Sequence, residues 1–252
     1  MNLLILTPDD MSGDAIYRVS GQRLEHMLTV LRLEAGDPVE IGLLNGPQGI
    51  GRIITIDRQE VSVEVERFQE NRVPRPTIDL ICAMPRPKIL RKVLYVAGMT
   101  GVRSIHLVRA NRSEKSYFLS PLLEQENYLP YMLEGLSQGK QTRLPLVHIH
   151  PLFRPFVEDD LPRLEGFSTA AKLLADLGSG LWLNEIIPAE PPDHLFLAVG
   201  PEGGLVEFER NHLIGAGFRP FLLGKATLRV EFALMAAFAQ IELVCRGQKL
   251  SQ

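Results

Sequence analysis

The sequence predicts an α/β protein in which a small β-barrel precedes a larger domain built on a parallel sheet. Before residue 70, short segments alternate apolar and polar side chains between Gly, Asn and Asp turns, which is typical of half-buried strands. Beyond residue 76 the strand segments become continuously apolar, as in strands buried on both faces. There they alternate with helical segments, which indicates a parallel sheet covered by helices. We therefore predict a barrel domain at residues 1–72 and an α/β domain at residues 77–252.

The barrel domain is predicted from three strand segments and one helix. The strands are VEIGLLNG, GIGRIITID and VSVEVERF. The segment QRLEHMLTVLRLEAGD repeats leucine on one face, which predicts a short helix that stops at Gly36. The segment RVPRP at residues 72–76 is a stiff connector, because proline fixes its own φ and disfavours helix in the residue before it.

The α/β domain opens with the strand TIDLICAM and closes with the long helix RVEFALMAAFAQIELVCRG. Between them we predict the helices PKILRKVLYVAGMTG, SPLLEQENYLPYMLEGLSQG and FERNHLIGAGF, the second broken near Pro130. The other predicted strands are SIHLVRA, LPLVHIH, GLWLNEII, DHLFLAVG and RPFLLG.

Composition narrows the class of protein. The chain has 252 residues, 45% of them hydrophobic, but no run of about 18 apolar residues that would cross a membrane. Its first residues lack the basic start of a signal peptide. Cys82 and Cys245 lie far apart in apolar contexts, which predicts buried free thiols and a reducing cytoplasm. No His/Cys pair has metal-ligand spacing, so no metal is expected.

Positive charge is concentrated in one stretch, although the net charge is -3. Eight cations and one acid, Glu114, lie between Pro85 and Tyr117. Such a face suits a phosphate-rich partner, or it is a solvated helix face. The cations are Arg86, Lys88, Arg91, Lys92, Arg103, Arg109, Arg112 and Lys115.

Two glycine-containing loops are the candidate site. The first, GPEGG, comprises Gly200, Pro201, Glu202, Gly203 and Gly204, directly after a buried strand. Bare backbone there lets N–H groups approach a ligand, and ligands of open α/β sheets bind beyond the carboxyl ends of strands. The loop matches neither dinucleotide nor P-loop spacing, and a plain tight turn is the alternative. The segment LLGKATLRVEFALMAA at 222–237 supplies the second loop, beside the first if their strands are neighbours.

These two segments resemble the SPOUT-class methyltransferases, and among them the RsmE-type 16S rRNA uridine-N3 methyltransferases. That family has a GPEGG loop, a helix, and a loop-helix segment of the form L-G-x-R-I-L-R-x-E-T-A, which matches Leu223–Ala233 here. The segment HMLTVLRLEAGD at 26–37 resembles the family's barrel motif, and MPRPK, NRSEKSYF, GLSQGKQTRLP and FRPFVEDDLP resemble stretches of one branch.

The resemblance implies a SPOUT-type parallel sheet with a C-terminal trefoil knot and a PUA-like RNA-binding barrel. It implies S-adenosyl-L-methionine held by backbone of the knotted loops, a homodimer, and 16S rRNA or the small ribosomal subunit as partner. The implied cofactor-binding residues are the five of the GPEGG loop with Leu183, Leu223, Gly224, Thr227 and Leu228. The implied RNA-binding residues are Arg32, Arg86, Arg112 and Gln138.

Arg229 is the predicted catalytic residue. Methyl transfer to uridine N3 requires loss of the N3 proton, in-line placement of the methyl group, and stabilisation of negative charge on the O2/O4 edge. A guanidinium is always charged and its planar fork suits that edge. A structural ion pair with Glu202 or Glu231 is the alternative for Arg229, as an ion pair with Asp37 is for Arg32. No side chain is an obvious general base, although His26 and His212 are considered.

Four positions depart from the family pattern. Ala226 and Phe232 stand where Arg and Thr are usual, and Gln141 and Met99 stand where Arg and Glu are frequent. These departures leave two alternatives open: methylation of another RNA nucleoside, or an RNA-binding or assembly factor whose catalytic site has decayed. A Rossmann-type methyltransferase is disfavoured, because the first strand of the α/β domain is followed by PRPK and not by a glycine loop.

Overall fold

A computed structural model describes residues 3–69, 76–187, 190 and 192–249. The predicted connector at 72–76 therefore lies mostly outside the described residues. The chain divides into two compact units. The first comprises Met1–Val73, Gly98–Gly101 and Met132–Leu144, and the second comprises Pro74–Ala97, Val102–Tyr131 and Pro145–Gln252.

The first unit contains a six-stranded mixed sheet. Strands β1 and β4 are parallel, and the other pairs are antiparallel, in the order β1-β4-β5-β6-β3-β2. One face buries aliphatic side chains such as Val19, Ile41 and Val63, which fits the predicted barrel-like domain. The strands are β1 (Leu4–Leu6), β2 (Met11–Gly13), β3 (Ile16–Val19), β4 (Pro38–Leu43), β5 (Gln48–Ile56) and β6 (Val61–Phe68).

The helix of this unit ends earlier than predicted. It runs as α1 (Gln22–His26) and continues as a wider turn over Met27–Leu31. Arg32 then takes a left-handed conformation with φ of 53°, and Leu33 N–H donates to the Met27 carbonyl at 3.2 Å, which closes the helix. Gly36 lies in the following turn, so its prediction as the helix stop is wrong.

The second unit contains a six-stranded parallel sheet in the order β12-β10-β11-β7-β8-β9. Every residue of β8 is buried, so both faces of the sheet are covered, as the continuous apolar runs predicted. The strands are β7 (Thr77–Ala83), β8 (Ser104–Val108), β9 (Leu146–His150), β10 (Ala171–Ala175), β11 (His194–Val199) and β12 (Arg219–Phe221).

Among the described residues, six further helices follow α1. They are α2 (Pro87–Thr100), α3 (Gln125–Gly139), α4 (Phe153–Pro155), α5 (Leu183–Ile186), α6 (Glu207–Gly215) and α7 (Val230–Lys249), with short 3-10 or wider turns at Pro8–Asp10, Lys115–Leu119, Pro121–Leu123, Phe156–Asp160 and Leu161–Arg163.

Two predictions for this unit are wrong. Helix α3 continues through Pro130, because Met132 and Leu136 are fully buried and hold the helix beyond the missing N–H donor. The segment GLWLNEII is no strand: only Trp182 forms a β-bridge, to Leu222, and α5 begins at the next residue. Its place in the sheet belongs to β10, whose sequence AKLLA is short and contains a lysine.

No helix in the described part of the chain is long and apolar enough to span a membrane. Cys82 and Cys245 are both buried, as predicted, and no disulfide joins them. Burial, together with the nearby Glu202 charge, raises the pKa of the Cys82 thiol to about 12, which excludes it as a nucleophile near neutral pH.

Candidate functional site

The loops of interest lie at one edge of the parallel sheet. Because parallel strands point the same way, the loops after β7, β8, β10, β11 and β12 all leave from the carboxyl edge. This is the edge at which open α/β sheets bind ligands. Both glycine-containing segments are therefore on the same side of the sheet.

The first loop is a tight turn that exposes backbone. Gly204 N–H donates to the Pro201 carbonyl at 2.8 Å, and Gly204 has φ of 74°, a conformation that favours glycine. A Cβ at Gly200 would lie 3.1 Å from Leu205 Cγ. Pro201 is buried, whereas Glu202, Gly203 and Gly204 are exposed. The bare residues thus allow both the turn and close approach to the chain.

The second loop is not next to the first in the sheet, because β10 stands between β11 and β12. The loop after β10 contacts the second loop directly. Leu222 N–H donates to the Leu181 carbonyl at 2.8 Å, and Leu222 pairs with Trp182 in the β-bridge. Gln240 of α7 donates to the Leu223 carbonyl at 2.8 Å. Three consecutive carboxyl-edge loops therefore border the candidate site.

Leu183 borders this region from the start of a helix and not from the end of a strand. Trp182 N–H donates to the Glu185 carboxylate at 2.6 Å, which caps the first turn of α5. The Leu183 side chain is 2% exposed, so it packs into the core behind the loops. Gly224 is half-buried and Thr227 and Leu228 are exposed.

Two of the predicted RNA-binding arginines contact the first loop. Arg112, after β8, donates from its guanidinium to the Gly203 carbonyl. Arg86, after β7, lies 3.7 Å from the Glu202 carboxylate. Loops from three strands therefore meet around GPEGG, and they bring positive charge to it.

Arg229 is exposed, and its carbonyl accepts the Ala233 N–H at 2.8 Å at the start of α7. The two carboxylates considered as its structural partners pair elsewhere: Glu202 with Arg86, and Glu231 with Lys92 at 3.0 Å. Within the described ranges Arg229 forms no ion pair, so its guanidinium is available to a ligand.

Glu231 is 4% exposed, and its carboxylate is held ionised by neighbouring cations. Burial alone would raise its pKa, but the Lys92 hydrogen bond and the charges of Lys92 and Arg229 outweigh burial and lower it. One oxygen, Oε2, is buried without a hydrogen-bond partner among the described residues.

The positions that depart from the family pattern are mostly on the surface or in turns. Phe232 is 55% exposed on α7, so it does not pack in the core. Ala226 is exposed in the second loop. Gln141 donates to the Gly139 carbonyl at 3.1 Å, and the Met99 backbone approaches Gly139 so closely that a Cβ there would collide with it.

The remaining predicted residues lie in the first unit. Arg32 is exposed, and the Asp37 carboxylate accepts the Glu34 N–H at 2.8 Å. The alternative for Arg32, a buried ion pair with Asp37, is not formed among the described residues. Gln138 is exposed in the last turn of α3. Neither the structure nor the comparisons test the RNA contacts assigned to these residues, which stay predictions.

His212 is occupied structurally: its Nδ1 lies 2.8 Å from the Phe208 carbonyl and its Nε2 lies 3.4 Å from Glu158. The side chain of His26 lies outside the described part of the structure. Sequence reasoning missed Glu209, a buried carboxylate that contacts the loop after β8. The sequence does contain a signal for Glu209. It lies three residues after Val206 at the start of a helix, which is the spacing of a glutamate that caps a helix.

A parallel α/β sheet with two backbone-rich loops at its carboxyl edge defines the class of RNA methyltransferase domains that this chain matches. The family model for the RNA methyltransferase domain matches residues 71–242. The chain is 31% identical to ribosomal RNA small subunit methyltransferase E of Treponema pallidum, over 96% of this chain and 90% of that protein. It belongs to this methyltransferase family, the RsmE family.

The chain is also similar to a second relative in sequence and to two solved structures in fold. Ribosomal RNA small subunit methyltransferase E 1 of Borreliella burgdorferi is 24% identical, over 94% of this chain and 95% of that protein. The small subunit methyltransferase E of Neisseria gonorrhoeae, solved with S-adenosyl methionine, has a TM-score of 0.72 at 19% identity, covering 96% of this chain and 98% of that one. A methyltransferase of Legionella pneumophila, also solved with the cofactor, has a TM-score of 0.72 at 20% identity, covering 96% and 98%.

Proposed function

We propose that this protein transfers a methyl group from S-adenosyl-L-methionine to N3 of a uridine in 16S rRNA, in the cytoplasm. The free guanidinium of Arg229 at the start of α7, next to a loop joined to the carboxyl edge, carries this proposal. Support also comes from the small-subunit rRNA methyltransferases to which the chain is similar over nearly its full length.

The residues present fit the cofactor. The backbone of the loop Gly200–Gly204 would recognise S-adenosyl-L-methionine, because Gly203 and Gly204 are exposed and have no side chain to cover their main chain. Leu223, Gly224, Thr227 and Leu228 supply the second backbone wall, and Leu183 the apolar floor. When bound, the cofactor supplies an electrophilic methyl group. The protein then has to place the uridine N3 in line with it.

Arg229 stabilises the uracil ring in this proposal. Removing the N3 proton leaves negative charge on the O2/O4 edge, and a preorganised guanidinium lowers the energy of that charge. A cation also favours loss of the N3 proton, so a water molecule can accept it without a dedicated side-chain base. This is compatible with the structural hydrogen bonds that occupy His212.

Arg86 and Arg112 beside the glycine loop, and Arg32 and Gln138 in the first unit, are proposed to contact the RNA. Residues 1–72 are proposed to act as a PUA-like RNA-binding domain and residues 77–252 as the methyltransferase domain, with the limits predicted from the sequence. We also propose that the chain around the second loop forms the trefoil knot of the SPOUT class.

A homodimer is proposed through α2 and α7. Helix α7 exposes Phe232 and Met235, which are 55% and 38% exposed. A groove of about 370 Å³ lies between the two helices, lined by Arg91, Lys92, Tyr95, Val96, Tyr131, Glu231, Phe232 and Met235. Sedimentation of the purified protein tests the dimer.

The function is tested with small subunits and with free 16S rRNA from a strain that lacks the gene. Incubation with purified protein and labelled S-adenosyl-L-methionine should give one N3-methyluridine in the 16S rRNA, identified by nuclease mapping and mass spectrometry. Methylation of another nucleoside would support the first alternative. No heat of binding on titration with S-adenosyl-L-methionine, together with no methylated product, would support the assembly factor favoured by Ala226 and Phe232.

A further inference from the structure

Glu209 connects two loops of the candidate site through a buried carboxylate. It is the third residue of α6 and is 3% exposed. Oε1 accepts the N–H of Asn111 at 2.5 Å, and Oε2 accepts the N–H of Val206 at 3.1 Å. Asn111 follows β8, whereas Val206 lies two residues after the glycine loop. One side chain therefore joins two backbone segments that are distant in sequence.

A helix cap alone does not explain this arrangement. The Val206 bond satisfies one free N–H at the start of α6, and the positive end of the helix dipole favours a carboxylate there. The Asn111 bond is additional and reaches a different strand's loop. Because both partners are donors, both oxygens have to be acceptors, which a carboxylate provides and a neutral amide does not.

The segments joined by Glu209 hold the glycine loop. Arg112, the residue after Asn111, donates to the Gly203 carbonyl. Ser113 Oγ donates to the Met84 carbonyl at 2.8 Å, which connects the same loop to the end of β7. The Asn111 bond thus fixes the segment that carries Arg112, and Arg112 fixes Gly203.

We propose that Glu209 is a positioning residue for the methyl donor. It holds Asn111 and Val206 at a fixed separation, and so keeps the backbone of Gly203 and Gly204 in the conformation that receives the cofactor. This inference rests on the proposed function, in which the glycine loop binds S-adenosyl-L-methionine.

The test compares Glu209→Gln with Glu207→Gln. Glu207 is exposed in the same first turn of α6, so both variants remove one negative charge from the same helix end. In Glu209→Gln an NH₂ group replaces one of the two acceptor oxygens of the carboxylate. This NH₂ group then faces a backbone N–H, and two donors cannot form a hydrogen bond. We expect the calorimetric Kd and the KM for S-adenosyl-L-methionine to rise about tenfold or more in Glu209→Gln, and less than twofold in Glu207→Gln.

A merely structural role would give another result. Loss of stability lowers the folded fraction, and with it the apparent kcat, but leaves the KM of the folded molecules unchanged. Glu209→Asp is the second variant: it keeps the charge, yet is one methylene too short to serve both N–H groups, so the KM for the cofactor should rise again.

The outcomes separate this inference from the proposed function. If the wild-type protein methylates 16S rRNA and both Glu209 variants retain its KM and Kd for the cofactor, the positioning role is overturned and the function stands. If the wild-type protein binds no S-adenosyl-L-methionine, both are overturned. Faster hydrogen exchange of the Asn111 amide in Glu209→Gln than in Glu207→Gln is the expected structural signature, and equal exchange would contradict the connection.

Discussion

The guanidinium of Arg229 forms no ion pair among the described residues. The nearby acids pair with other cations, Glu202 with Arg86 and Glu231 with Lys92. Sequence reasoning could select Arg229 from its place in the LRVE segment. It could not decide between a free and a paired arginine, because the competing cations come from α2 and from the loop before it.

We expect Arg229→Ala to abolish methyl transfer and to leave cofactor affinity within about tenfold, a difference of roughly 1.4 kcal/mol. The guanidinium acts on charge that develops on the uracil, so its loss affects turnover more than cofactor binding. Single-turnover assays and calorimetry measure the two effects. Lys225→Ala, which removes an exposed cation from the same loop, is the control and should retain turnover. Full turnover by Arg229→Ala would remove this residue from the mechanism.

Gly204 and Gly215 provide a matched pair for the cost of the glycine turn. Gly204 has φ of 74°. Gly215 ends α6, and a Cβ added there would have no atom within 4 Å. Gly204→Ala should lower the free energy of unfolding by about 1 to 2 kcal/mol, because a Cβ disfavours the left-handed conformation. Gly215→Ala should be neutral or stabilising by up to about 1 kcal/mol. Urea denaturation measures both, and equal values would contradict the assigned turn.

At the scale of elements, long periodic segments were predictable and short or interrupted ones were not. The strands β7, β8 and β11 and the helices α2, α6 and α7 follow their apolar patterns. Strand β10 was missed, because its five residues carry no signal stronger than their surroundings; its place in the sheet comes from pairing with β11 and β12. The pairing of β10 with its neighbours decides which loops border the site, and strand pairing cannot be read from local sequence patterns.

Helix α3 shows tertiary packing overriding a local signal. Pro130 is exposed and lies in the sixth position of α3, where its ring removes one backbone donor. The helix persists because Leu136 packs with Leu3 and Ile5. Pro130→Ala should therefore stabilise the protein, by up to about 3 kcal/mol, since it restores the donor without disturbing a buried contact. Thermal and urea unfolding check this, and destabilisation would show that the ring itself is required.

At the scale of the whole second unit, a buried polar network crosses the four neighbouring strands β11, β7, β8 and β9. Asp79 accepts hydrogen bonds from Ser104 at 2.6 Å and from Arg103, and lies 2.6 Å from His194. His106 is 2% exposed, with Nε2 3.0 Å from Ser104 Oγ and Nδ1 3.0 Å from His150 Nε2. Since the Ser104 proton goes to Asp79, His106 donates from Nε2 and accepts at Nδ1. A second proton on His106, at Nδ1, could be accepted only if His150 moved its own proton to Nδ1, which lies 3.4 Å from the Asp160 carboxylate.

This network makes stability depend on pH in a direction that the structure determines. Burial, and then the charges of His148 and His150, lower the pKa of His106 from 6.5 to about 3. The unfolded chain therefore binds a proton below about pH 6.5 that the folded chain does not, and stability falls as pH decreases from there toward 3. Burial also lowers the pKa of His150, which acts in the same direction.

We expect the free energy of unfolding to fall by up to about 1.4 kcal/mol per pH unit for His106 alone below pH 6.5. Asp79 adds to the loss only in more acid solution. Burial alone would raise its pKa, but the hydrogen bonds from Arg103, Ser104 and His194 outweigh burial and lower it, so its contribution is lost as the pH falls below the ordinary value of 3.8 toward that lowered pKa. Urea denaturation of wild-type protein and His106→Gln between pH 7.5 and 5 separates the two groups. The variant should have the shallower slope below pH 6.5 and a parallel slope above pH 7, because glutamine does not titrate. Identical slopes across the range would show that His106 takes up its proton in the folded state, and the directed hydrogen bonds from His150 to Asp79 would then be wrong.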